Sequence, residues 1–437
     1  MKNNLVLKCS WVFALVLLGS NAANPACAAE GAMNTNSGTL TIESAIRLAL
    51  ESNPELRASG ARINAAAGRA YQSRKWTNPE LELNAEDWPV GNHGEFSDAK
   101  QTIGISQTLP FPGKKTLDRR IGNSAVKLSE AEFGLRRLEI EREVKIAFYQ
   151  VLAAERLVEV EGELVRVAES SANVARKRVE AGAAGDQEQL RAEVLLEQAR
   201  TELSGLEREV DSARQTLANV MGRPDLVEMP LSGELSDTAD LKLLEQGPEQ
   251  WLTNHPSVLA AQRNLDQTDL EFRRAKLEPY PDVKATVSGG RAGETGESII
   301  ELGFSVPLPI INWGKGKKQE AEANVSVADA ELRAVEQRLL RDWGIARERH
   351  RVAATQVTNY RDRILPKADE ALRLVQTGFE QGKFGLTDLL DTQRTTSEAR
   401  RAYQQRLLEL NVAQAEIEAL QAQSSAPSTH SQTTGRK

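Results

Sequence analysis

The stretch GKFGLTDLLDTQR, Gly382–Arg394, has a partner two hundred residues earlier, where the chain reads GAAGDQEQLRAE, Gly182–Glu193. Gly182 and Gly382, Gly185 and Gly385, Leu190 and Leu390, and Ala199-Arg200 and Ala399-Arg400 all keep the same offset. One glycine-broken, acidic turn made twice in fixed register marks an internal duplication.

Outward from the turns the repeat covers most of the chain. SNPELRASGARINAA (52–66) matches NHPSVLAAQRNLDQT (254–268), with Pro54 and Pro256 202 apart. TNPELELNAE (77–86) matches PYPDVKATVS (279–288), with Pro79 and Pro281 also 202 apart. SQTLPFPGKK (106–115) matches FSVPLPIINWGKGKK (304–318). Here Pro110/Pro112 and Pro307/Pro309 are 197 apart, so a small insertion precedes Gly314.

Each copy has the same order of elements. The first repeat spans 41–221 and the second 248–421, joined by a linker at 222–247. Each starts with a helix, predicted over 42–75 and 248–277. Two strands follow in hairpins at 80–110 and 282–308. Leu81, Leu83 and Ala85 alternate with glutamates and Asn84, and Ile300, Leu302, Phe304 and Val306 alternate with Glu301, Gly303 and Ser305. A period of two means one apolar and one polar face. Long helices come next, at 114–181 and 187–221, then 316–381 and 386–421, with Pro366 marking a bend or restart. The helix after Lys114 would extend roughly 100 Å. Its seam, Val144, Ala147, Val151, Ala154, Val158, Glu161, Val165, Ala168, Ala172, Ala175 and Val179, keeps coiled-coil spacing, and Glu161 alone breaks it. Leu157, Val160, Leu164 and Val167 form a second stripe, so the helix has neighbours on two sides.

Composition agrees with long helices. In 437 residues aromatics are 5% and charged residues 27%, and the net charge of −7 argues against nucleic acid as a partner. Lys2 and Lys8, an apolar run and ACAA read as a signal peptide at 1–28, with an extension at 29–40 and a polar tail at 422–437 predicted to be disordered. Cys9 and Cys27 leave with the signal, so the mature chain has no disulfide. A competing reading makes Cys27 a lipidated first residue, although the preceding NPA lacks the usual apolar residue.

Four strands cannot close a barrel, and an open amphipathic sheet leaves raw edges. Three chains would pool twelve strands, an even number suited to a membrane barrel. At this point the chain resembles the TolC family of outer-membrane efflux proteins over residues 40–421. The duplication, the NPEL and HPSV motifs, the LPFPGK and VPLPIINWGKGK junctions and the GKFGLTDLLDTQR turn carry the likeness. LELNAEDWPVG (81–91) and LPFPGK lean towards its CzcC-like branch, which serves heavy-metal efflux.

The resemblance implies a mostly helical fold with a small β part. Three chains would form a twelve-stranded outer-membrane barrel with a helical tunnel hanging into the periplasm. It also implies a homotrimer in contact with outer-membrane lipid, a periplasmic adaptor protein and an inner-membrane RND transporter that supplies the energy. Exported metal cations or other small toxic compounds would be cargo. A duct for type I protein secretion shares the fold and stays open as an alternative, as does a soluble periplasmic coiled-coil adaptor. The glycine turns would sit at the far tip. Asp388 and Asp391, sharing one helix face, would narrow the pore, with Glu188 as a weaker copy-one candidate. From the residues alone, both aspartates could equally be helix-start residues favouring the dipole. The family's tip-tying tyrosine and arginine are replaced by Phe379 and Phe384, which implies apolar contact between these rings or a weakly held tip.

No catalytic motif accompanies this pattern, so the chain reads as no enzyme and no cofactor is implied. His93, His255, His350 and His430 lie far apart without ligand spacing, and only four methionines occur, so no metal site is expected.

Overall fold

The structure is a computed structural model and describes residues 38–87, 99–239, 242–293 and 295–422. The predicted signal peptide with Cys27, most of the extension, the loop at 88–98 and the tail at 423–437 lie outside the described residues. The described residues from Thr39 to Ala422 form one compact unit.

The helix expected over 42–75 is two helices, α1 (Ile42–Ser52) and α2 (Pro54–Arg74). Asn53 makes the break. Its Oδ1 accepts from the N–H groups of Glu55 and Leu56 at 2.8 and 3.2 Å, and its amide donates to the Val220 carbonyl at 2.7 Å. Pro54 then takes the first helical position, where a missing N–H costs nothing. The second copy likewise falls short of its expected helix over 248–277. The short α5 (Lys242–Glu245) and two 3₁₀ turns precede α6 (Pro256–Ala275), whose cap is the His255 Nδ1 accepting from Ser257 N–H at 3.2 Å.

β1 (Glu80–Glu86), β2 (Lys100–Leu109), β3 (Val283–Arg291) and β4 (Ser298–Ser305) make one antiparallel sheet in sequence order. The β2–β3 pairing joins the two repeats and leaves β1 and β4 as open edges. Leu81, Ile105, Val287 and Leu302 form one cross-strand row, and Leu83, Ile103, Gly289 and Ile300 the next. The large apolar side chains of both rows are exposed, whereas Thr102, Ser106 and Ser288 on the opposite face are buried. A water-soluble sheet does the reverse. The polar face is crowded enough to need glycine: a Cβ on Gly104 would lie 2.7 Å from that of Ser288, and one on Gly290 only 1.9 Å from the Gln101 carbonyl oxygen.

α3 (Lys114–Glu180) runs unbroken for 67 residues and returns as α4 (Asp186–Met221). Its seam is buried from Val144 to Ala175 with only Val158 half-exposed, and the second stripe is half-buried, as two-sided packing requires. Glu161, 1% exposed, is matched by Arg401 Nη2 at 2.5 Å across the repeat boundary. The second copy's long helix is interrupted. α7 (Lys315–Asn359) passes into a π-turn, Tyr360–Ile364, before α8 (Leu365–Glu380). Leu365 N–H bonds the Tyr360 carbonyl, a wider register that accommodates Pro366 without a lost turn. α9 (Leu386–Leu420) is the last described helix. The linker between the repeats is fastened here: Asn411 Oδ1 accepts from Ser236 N–H and its amide donates to the Ser236 carbonyl, both at 3.0 Å, while Arg361 in the π-turn meets Asp237 at 3.1 Å. No described helix is long and apolar enough to cross a membrane.

Candidate functional site at the helical tip

Both tip turns have one backbone. α3 and α8 each end in a Schellman motif, with Gly182 (φ 70°) and Gly382 (φ 74°) in the left-handed conformation that favours glycine. Gly182 N–H bonds Val179 O at 2.9 Å and Ala183 N–H bonds Arg178 O at 2.8 Å. Their counterparts are Gly382 to Phe379 at 3.0 Å and Lys383 to Gly378 at 2.7 Å. Gly185 and Gly385 are N-caps of the returning helices with ordinary negative φ, so their glycine is not required by backbone angle.

Side chains finish the two turns differently. Phe379, 2% exposed, sits in a core with Ala172, Ala175, Ala192, Leu386 and Leu389, drawn from both repeats. The Arg178 guanidinium lies over its ring, 5.1 Å from the centroid, and 3.4 Å from Glu188. Phe384 instead lies on Gly378, where an added Cβ would come within 2.2 Å of the ring. The two rings therefore have different neighbours. The resemblance implies apolar contact between these two phenylalanines or a weakly held tip. Within one chain it is held by an apolar core roofed by an arginine. Sequence reading missed Arg178 and Gly378. Their signal was present, since they occupy equivalent positions two hundred residues apart.

The acidic residues also separate. Asp388 Oδ2 accepts from Gly385 N–H at 3.0 Å, the reach-back half of a capping box, and its carboxylate is exposed. Asp391, a turn later, is exposed on the face away from Leu386 and Leu389. Glu188 is half-buried against Arg178. The helix-start reading thus holds for Asp388, and it leaves the carboxylate open to solvent. Buried Gln393 donates to Ser171 Oγ at 3.0 Å and locks α9 onto α3.

Among the described residues no His, Cys, Asp and Glu group could hold a metal. His255 is a helix cap whose burial lowers its pKa, and His350 is buried within α7.

The family model for outer membrane efflux proteins matches residues 45–223 and 247–423. The cobalt-zinc-cadmium resistance protein CzcC of Cupriavidus metallidurans is 28% identical over 369 residues, 84% of this chain and 86% of that protein. The nickel-cobalt-cadmium resistance protein NccC of Alcaligenes xylosoxydans xylosoxydans is 23% identical over 282 residues, 64% of each chain. Among solved structures, the outer-membrane channel OprN superposes with a TM-score of 0.75 at 19% identity, covering 87% of this chain and 89% of that one. With the duplicated helical hairpins, the outward apolar sheet and a family match across both repeats, this chain belongs to the outer membrane efflux protein family, whose members are channels of the Gram-negative outer membrane with a periplasmic part.

Proposed function

We propose that three copies close one twelve-stranded barrel and one periplasmic tunnel, and that the channel is the exit duct of a tripartite pump exporting heavy-metal cations. The sheet carries this reading. Its apolar face is already outward and its two edges are unpaired within one chain, a combination stable only when further copies complete the barrel in lipid. The cargo follows from the resistance named for CzcC and NccC. An RND transporter in the inner membrane supplies the energy, and a periplasmic adaptor meets the tip. Asp388 and Asp391 line the throat, and Glu188, half-buried against Arg178, is the weaker copy-one candidate. Three copies of exposed carboxylates in a narrow aqueous passage attract cations and repel anions. The helices, the glycine turns and the Phe379 core hold them in place.

Two measurements test this. Native mass spectrometry of the detergent-extracted protein gives a trimer. Leu302→Arg, at a mid-strand residue 72% exposed on the apolar face, reduces assembled trimer, since arginine facing the bilayer midplane costs about 2–4 kcal/mol. Ser305→Arg on the other face is tolerated, and equal losses from both overturn the face assignment. For cargo, deletion of the gene lowers growth in cobalt, zinc or cadmium salts and plasmid-borne protein restores it. Unchanged metal tolerance refutes the metal reading while leaving the channel intact.

A further inference from the structure

The four places where the chain crosses between sheet and helices lie together. Phe111 in the β2–α3 junction stacks on Tyr280 in the α6–β3 junction, centroids 4.7 Å apart. Asp282 accepts from Phe111 N–H at 2.8 Å and pairs with Lys114 at 2.9 Å. Arg274 reaches Asp118 at 2.9 Å, and Glu278 pairs with Lys317 at 2.5 Å in the β4–α7 junction. Gln107 donates to the Thr77 carbonyl at 3.0 Å, which brings in the α2–β1 junction.

Two kinds of side chain remain exposed at this level. One is apolar: Leu308, Ile310, Ile311 (98% exposed), Trp313, Trp76 and Tyr280. Ile310, Ile311 and Trp313 lie in the insertion that only the second repeat carries. The other is basic. Every carboxylate just named is already matched by Lys114, Lys317 or Arg274. Among the described residues, exposed Lys75, Lys276, Lys315 and Lys318 and half-buried Lys115 have no carboxylate within ion-pair distance. Lys75 and Lys276 rest on the rings of Tyr71 and Phe272, at 4.4 and 4.1 Å, which leaves their positive charge unneutralised. Lys114, Lys115, Lys315, Lys317 and Lys318 open α3 and α7, where positive charge opposes the helix dipole and neither helix has a side-chain cap or an acid in its first turn. These lysines weaken the helices they begin, so helix formation does not account for them.

We propose that this collar binds anionic glycerophospholipid of the periplasmic leaflet. The lysines hold headgroup phosphates, and Ile310, Ile311 and Trp313 lie among the adjoining acyl chains. The collar is continuous with the lipid-facing rows of the sheet, so its apolar side chains reach the bilayer boundary and its ammonium groups the headgroup layer next to it. Excess positive charge with no protein partner complements a phosphate surface. The proposal rests on the membrane-barrel reading above, and the test separates the two.

The full-length protein is reconstituted into phosphatidylcholine vesicles containing a minor fraction of phosphatidylglycerol, either lipid carrying brominated acyl chains. Quenching of Trp313 is read as the difference between wild type and Trp313→Phe. Brominated phosphatidylglycerol quenches beyond its mole fraction, and the excess fades as salt is raised. Lys115→Gln, Lys315→Gln and Lys318→Gln together abolish the excess, with about fivefold weaker phosphatidylglycerol preference per lysine removed. The triple variant still inserts, and brominated phosphatidylcholine quenches it as before. Quenching in proportion to mole fraction in wild type, or an unchanged excess in the triple variant, overturns the collar alone. Loss of the excess on adding inorganic phosphate at constant ionic strength assigns the lysines to free anion and overturns the lipid assignment. Failure of any lipid to quench Trp313 in inserted protein removes the apolar half of the proposal. Failure to insert at all counts against the barrel instead.

Discussion

The tip turns at 182–185 and 382–385 are one backbone filled in two ways. The first copy places Arg178 where the second has Gly378, and Ala184 where the second has Phe384. One turn is closed by an ion pair and a cation over a ring, the other by a ring lying on bare backbone. The helix starts diverge in the same manner. Glu188 and Asp388 are equivalent, yet Glu188 turns to Arg178 while Asp388 turns back to its own cap. Further out, the amide of Asn53 and the imidazole of His255 do the same capping task. The repeats thus share the residues that bend the chain and differ in those that fill the bends.

The largest expected effect comes from cutting the tie between repeats. Arg401→Ala leaves Glu161 buried without its cation and costs about 3 kcal/mol, read from the denaturant midpoint of the extracted protein. A loss below about 0.5 kcal/mol, the size of an ordinary surface change, means the repeats are fastened elsewhere. Next comes Gly378→Ala, which drives a methyl group into the Phe384 ring and costs about 1–3 kcal/mol. Adding Phe384→Ala makes the second turn resemble the first and recovers much of the loss. If the double variant is no better than the single, Phe384 is not the obstacle.

A smaller effect depends on pH. Burial lowers the His255 pKa below 6.5, so the folded chain holds this imidazole neutral while the unfolded chain protonates it. Its contribution is complete above pH 6.5 and falls away as pH drops through that value towards the lower folded pKa. His255→Asn borrows the first repeat's cap, and its melting temperature declines less steeply over that acid range. Parallel slopes place the acid sensitivity at another group. The least change in stability is expected at the proposed throat. Asp388→Asn weakens a cap by about 0.5 kcal/mol and Asp391→Asn by less, yet both together lower cation selectivity in planar bilayers. Asp391→Arg copies Arg191 from the first turn and pushes selectivity further towards anions. Unaltered selectivity in all of these makes the aspartates helix-start residues only.

Much of the fold could be read from the chain. The duplication, the strand faces and the buried seam follow from spacing alone, because a period of two or of three and four records which side faces a neighbour. The helix breaks at Asn53-Pro54 and His255-Pro256 were also written there, as a cap followed by proline, but an apolar rhythm running across them concealed the stops. The site was less legible. Arg401 answers Glu161 from 240 residues away, and Arg178 meets Phe379 from the other repeat, so neither pairing leaves a local pattern. Asp388 could be placed at a helix start by sequence, while its exposure alongside Asp391 needed the packing of Leu386 and Leu389.

The open edges of β1 and β4 also set the order of the assembly reaction. A lone chain can satisfy neither edge, so each copy waits for others, and completed channel rises more steeply than linearly with the supply of chains. Halving synthesis therefore removes more than half of the channels that the proposed trimer would form. Gene dosage for such a duct acts as a threshold.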